Sequence, residues 1–185
     1  MSGANLLFSI IGSVALLITY NATEPTEVET NLPIEDTDVN LSGVSVNNPP
    51  SIQMYNAIEK YAEQYGIPKR YAYGVAYKET RYEGPFHWNY KHTQKSCAGA
   101  LGPMQIMLPT GRGHWKGETV TALRLMNDID FNVHTSMKVL RKLYDRYGDW
   151  KIVFGCYNTG RPIVNNYAVD VYNHQIRFKK NVNNF

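Results

Sequence analysis

No lysine or arginine occurs in the first 50 residues of this 185-residue chain, and no charged residue of either sign precedes Glu24. Orientation of a membrane-directed segment therefore cannot be read from flanking positive charge. Cysteine is also scarce, with only Cys97 and Cys156. They form no CxxC pair, and the five histidines (His87, His92, His114, His134, His174) show no HExxH spacing, so neither zinc signature is present. A disulfide and two separate thiols both remain open. Nothing repeats internally, and no nucleic-acid-binding motif is present.

The charge that does occur is unevenly placed. Glu24, Glu27, Glu29, Glu35, Asp36 and Asp38 lie in the first 50 residues, while the remaining 135 carry 19 basic against 10 acidic side chains, a net of +9. A compact domain with that excess attracts polyanions: nucleic acid, anionic lipid, or the acidic polymers of a bacterial wall. The alternative is a solvated basic surface with no partner.

Three regions follow from composition. Residues 1–22 contain the apolar run "LFSIIGSVALLI" and read as a signal anchor or signal peptide. An uncleaved anchor is favoured, because no basic residue precedes the run and no small-x-small site follows it. Residues 23–50 hold four prolines, no aromatic and no basic residue, and read as an acidic flexible linker. Such a tether spans on the order of 30 Å r.m.s.. Residues 51–185 form the folded part.

In that part Ser51 is a candidate cap for a helix carrying Met54, Ile58, Tyr61, Ala62 and Tyr65 and ending at Gly66. Pro68 starts a second helix with Tyr71, Ala72, Val75, Ala76 and Glu79 on one face. Gly84 to Pro103 reads as loop or short hairpin. Further helices are expected after Pro109, over 130–147, over 150–158 and over 162–176. About six helices and at most a small strand element make the class α+β, mainly α-helical.

Glu79 shares its face with Ala72, Val75 and Ala76, which sets a carboxyl at the rim of an apolar surface. Burial there raises a carboxyl's pKa and keeps part of it protonated near neutrality, as a general acid requires. The competing reading is a helix-end Glu paired with Lys78 or Arg81. The company of Glu79 bears on the choice. "ETRY" (79–82) is followed by "GALGPMQIM" (99–107), "DFNV" (130–133) and "YNTG" (157–160).

In this order the four motifs resemble the lytic transglycosylase (SLT) domain of the goose-type lysozyme superfamily, over roughly Ser51 to Ile176. The resemblance implies a lysozyme-like fold and a cell-wall glycan substrate, with no cofactor and no metal. It makes Glu79 the single catalytic acid, and Met104, Gln105, Tyr157 and Asn158 residues of the sugar cleft. Gly99 and Gly102 become hairpin glycines, and Thr80 stands where the family has Ser. Pro103 replaces a Leu, and Leu108 is inserted before Pro109. The implied reaction is cleavage of the β-1,4 bond between N-acetylmuramic acid and N-acetylglucosamine with formation of a 1,6-anhydro ring.

Alternatives stay open at this point. A second carboxylate, Glu83 or Glu118, would make the enzyme a goose-type lysozyme that hydrolyses the bond. A non-catalytic wall-binding or structural virion protein could keep the same fold. Expected partners are peptidoglycan, a membrane through residues 1–22, and a secretion or virion assembly, with no nucleic acid. The expected location of the folded part is outside the cytoplasm.

Overall fold

The later helices of this protein, from residue 122 onward, each begin at a capping polar side chain. The computed structural model describes residues 48–178, so the apolar segment and nearly all of the linker lie outside the described residues. Among the described residues seven helices run α1 (Pro50–Gln64), α2 (Lys69–Thr80), α3 (Leu108–His114), α4 (Ala122–Asn127), α5 (Ile129–Tyr147), α6 (Trp150–Thr159) and α7 (Asn166–Tyr172). Asp128 caps α5 by accepting from the Phe131 N–H at 2.9 Å, and Asp149 does the same for α6 from Lys151 at 2.7 Å. Gly148 and Gly160 end those helices in the left-handed region, at φ 66° and 72°. Among the described residues no helix is long and apolar enough to cross a membrane.

The longest helix, α5, is the axis of the domain and packs against α1, α3, α4 and α6. Its buried side includes Val133, Met137 and Leu140, which join Met54 and Ile58 of α1, Val75 of α2 and Val153 and Phe154 of α6 in one apolar core. Each fully buried aliphatic or aromatic side chain there stabilises the fold by ~1.5–3 kcal/mol. Strand structure is slight: among the described residues only the bridges Lys95–Leu101 and Leu101–Ile106 are present, both antiparallel. The domain is mainly helical, with the hairpin expected between α2 and α3 reduced to these contacts.

Three expectations need correction. Ser51 does not cap α1; Pro50 opens the helix, the Pro49 carbonyl accepts from Ile52 and Gln53, and Ser51 is buried inside the first turn with its hydroxyl unpartnered. A six-residue helix, α4, was missed because it is too short to show a period. The last helix begins at Asn166 and not near Pro162, because the chain after Gly160 must first pass close over α6. A Cβ on Gly155 would lie 1.6 Å from the Ile163 carbonyl oxygen, so only glycine admits that crossing. Cys97 and Cys156 are both free thiols.

Candidate active site

Helix α2 buries Ala72, Val75 and Ala76 completely, and this apolar face delivers Glu79 to the last turn of the helix. The chain then turns at once, with Arg81 in the left-handed region at φ 58°. Burial pushes the pKa of the Glu79 carboxyl up to about 7 against a reference of 4.5. A hydrogen bond from Tyr167 and the nearby charge of Lys78 pull in the other direction and lose. The Tyr167 hydroxyl donates to Glu79 Oε1 at 2.6 Å. Pairing of Glu79 with Lys78 or Arg81 does not occur: Lys78 Nζ lies 2.7 Å from Asp170 Oδ2 on α7, and the Arg81 guanidinium sits over the Tyr77 ring.

Tyr157 reaches the same region from α6. Its hydroxyl donates to the Met104 carbonyl at 2.7 Å and lies 2.9 Å from Ser136 Oγ. Because the carbonyl can only accept, the single proton of Tyr157 is committed there, and Ser136 is the donor in the second bond. Burial and the charge of Glu79 raise the pKa values of both Tyr157 and Tyr167. Both remain neutral hydroxyls at physiological pH.

The loop carrying "GALGPMQIM" is pinned against these helices by two side chains. Thr80 donates to the Pro103 carbonyl at 2.8 Å, so Tyr90, 2.7 Å away, must donate to Thr80. Thr80 is buried and links the end of α2 to the loop. Asn132, with no exposed surface, accepts from the Met104 N–H at 2.9 Å and donates to the Leu101 and Leu125 carbonyls at 2.9 and 2.7 Å. Every polar atom in that junction is thereby satisfied.

The structure distributes the motif residues between cleft and support. Met104 is fully buried, so its backbone serves the site while its side chain fills the core. Gln105 takes φ 50° and spends its amide N–H groups on the Gly102 and Gln94 carbonyls at 2.8 and 3.1 Å. Gly102 adopts φ 73° where a Cβ would lie 2.2 Å from the Leu125 carbonyl, and Gly99 adopts φ 88° in open space. Asn158 Oδ1 accepts from Asn165 Nδ2 at 3.0 Å. Glu83 is exposed, and Glu118 is exposed and paired with Arg124 at 3.3 Å.

Several contributors were not found from sequence. Tyr167, Asn165, Ser136 and Tyr90 lie in no motif. Asn132 lies inside "DFNV", where an Asn within an otherwise apolar helix face was the available signal.

A mainly helical domain thus carries a buried glutamate at a helix end, bonded to a tyrosine from α7 and set beside a pinned loop. The sequence pattern described as "Transglycosylase SLT domain" matches residues 56–178, and the chain belongs to that family. No curated protein matches the sequence. Among solved structures the chain is similar to a complex of the 70-kDa soluble lytic transglycosylase with bulgecin A, at 24% identity over 63% of this chain and 18% of that one, with a TM-score of 0.49. It is similar to the 70-kDa soluble lytic transglycosylase from Escherichia coli at 23% identity, over 63% of this chain and 18% of that one, with a TM-score of 0.47. An inactive mutant of lytic transglycosylase Slt from Pseudomonas aeruginosa shares 16% identity, over 57% of this chain and 16% of that one, with a TM-score of 0.46. The chain thus aligns with less than a fifth of the length of each of these proteins.

Proposed function

We propose that this chain is a peptidoglycan lytic transglycosylase with Glu79 as its single general acid and base. The observation that carries the reading is a carboxyl at the end of α2 that is bonded to Tyr167 and, among the described residues, to no cation, with burial raising its pKa. A carboxyl that titrates near neutrality suits proton transfer in both directions.

In the first step Glu79 gives its proton to the glycosidic oxygen as the bond from the muramyl C1 breaks. The resulting carboxylate then takes the proton of the muramyl 6-hydroxyl, whose oxygen bonds to C1 and closes the 1,6-anhydro ring. Glu79 ends protonated and no water is consumed. The substrate's own hydroxyl replaces a second carboxylate, and the intramolecular attack has the entropic advantage of a reactant already in place. Hydrolysis would need a carboxylate positioning water opposite Glu79. The two candidates lie outside the site contacts: Glu83 is exposed, and Glu118 is held by Arg124.

The basic excess suits an anionic wall polymer. Part of it gathers as Lys116, Lys138, Arg141 and Lys142 around a groove of about 510 Å³, where Asp145, the acid in the lining, is already paired with Arg141. Residues 1–22 as a membrane-directed segment and 23–50 as a tether would put the domain outside the cytoplasm; that part of the proposal rests on composition. A role in a secretion or virion assembly rests on the same segment.

The test is mass spectrometry of the products when the full chain digests purified peptidoglycan, beside Glu79→Gln. Anhydro-terminated fragments that vanish in the variant are expected. Reducing-end fragments would establish the lysozyme instead, and no fragments from folded wild-type chain would establish a binding protein.

A further inference from the structure

We infer that Asn165 is a positioning residue that fixes which way the Asn158 amide faces, making Asn158 a hydrogen-bond donor toward the glycan. This rests on the proposed function and on the cleft place that the family resemblance implies for Asn158, and it is carried by a chain of bonds whose direction admits one solution.

Asn165 precedes α7 and caps it: its Oδ1 accepts from the Ala168 N–H at 2.9 Å. A backbone N–H can only donate, so the oxygen of Asn165 must face the helix and its Nδ2 must face away. That nitrogen lies 3.0 Å from the side chain of Asn158, which therefore presents its oxygen to receive the bond. One lone pair of Asn158 Oδ1 is taken by this contact, which fixes the side of the amide that faces Asn165. The two N–H groups of Asn158 lie on the other side, and among the described residues neither has a protein acceptor; Asn158 itself is partly exposed at the end of α6. A glycan oxygen with a free lone pair, from a carbonyl or a ring substituent, fits this donor.

The same cap starts the helix that carries Tyr167, two residues on, whose hydroxyl reaches Glu79. Asn165 thus serves two arms of the site, and two substitutions separate them. In Asn165→Ser the hydroxyl still caps α7 but is too short to reach Asn158, whose amide is released. In Asn165→Asp the cap is also kept, but only acceptor oxygens face Asn158, so its amide is drawn round and its oxygen is turned to the glycan.

With soluble glycan strands as substrate for the full chain, Asn165→Ser should raise KM about five- to tenfold, the loss of one oriented hydrogen bond, with kcat within about twofold. Its upper pH limb should coincide with wild type, because the Tyr167 arm is untouched. Asn165→Asp should raise KM further. A wild-type KM in both variants, or a fall in kcat with a shifted pH limb in Asn165→Ser, would overturn the proposal. If wild-type chain cleaves nothing, the functional reading fails, and the amide orientation is then decided by NMR alone. One Asn165 side-chain proton protected from exchange, and exposed by Asn158→Ala, would sustain the bonding chain; rapid exchange of both protons in the wild type would refute it.

Discussion

The Tyr167 hydroxyl and the Glu79 carboxyl, 88 residues apart in sequence, meet at 2.6 Å, and this bond opposes the burial that raises the glutamate's pKa. The balance of the two effects leaves the carboxyl titrating near neutrality. Removing the hydroxyl should tip it. In Tyr167→Phe the charged form of Glu79 loses its donor, so the pH above which activity falls should move upward, and kcat should drop by about tenfold. A pH–rate profile with an unmoved upper limb would show that Tyr167 only packs.

Glu79→Gln should abolish turnover, by about 10²-fold or more. It should also stabilise the protein selectively. A carboxyl raised in the folded state from 4.5 to about 7 favours folding while protonated, and that contribution is lost as pH rises from the unfolded value through the folded one. The cost of the charge above pH 7 is roughly 3 kcal/mol from the linkage relation, and glutamine does not carry it. Thermal unfolding should therefore show Glu79→Gln several degrees above wild type at pH 8 and close to it at pH 4.5. A uniform shift at both pH values would sink this account.

Asn132→Ala should cost about 3 kcal/mol or more, because it orphans the Met104 N–H and two carbonyls in a site with no exposure. Denaturant unfolding with an unchanged m-value is the check. A loss below about 1 kcal/mol would mean that water replaces the amide.

Two glycines in one motif should behave differently. Gly99→Ala faces open space at φ 88° and should cost only the backbone term, ~1 kcal/mol. Gly102→Ala places a methyl 2.2 Å from the Leu125 carbonyl as well and should cost several times more. Equal losses in chemical denaturation would contradict the close approach.

What was legible in the sequence was local or periodic. The helical majority followed from apolar spacing, and four short motifs in order carried the family. The start of α1 was misread because Ser51 looks like a cap until Pro50 takes the first helical position. The length of the last helix was overestimated because no periodicity reports the crossing over Gly155.

The sequence by itself determined that one basic, mainly helical domain follows an apolar and then an acidic segment, and that Glu79 lies on an apolar face; composition and a 3.6-residue period suffice for both. Only the tertiary structure decided what touches Glu79. Lys78 is its neighbour in sequence but bonds to Asp170, while Tyr167 arrives from the far end of the chain. A carboxyl's pKa depends on burial and on donors within hydrogen-bond reach, and those are properties of packing between distant segments.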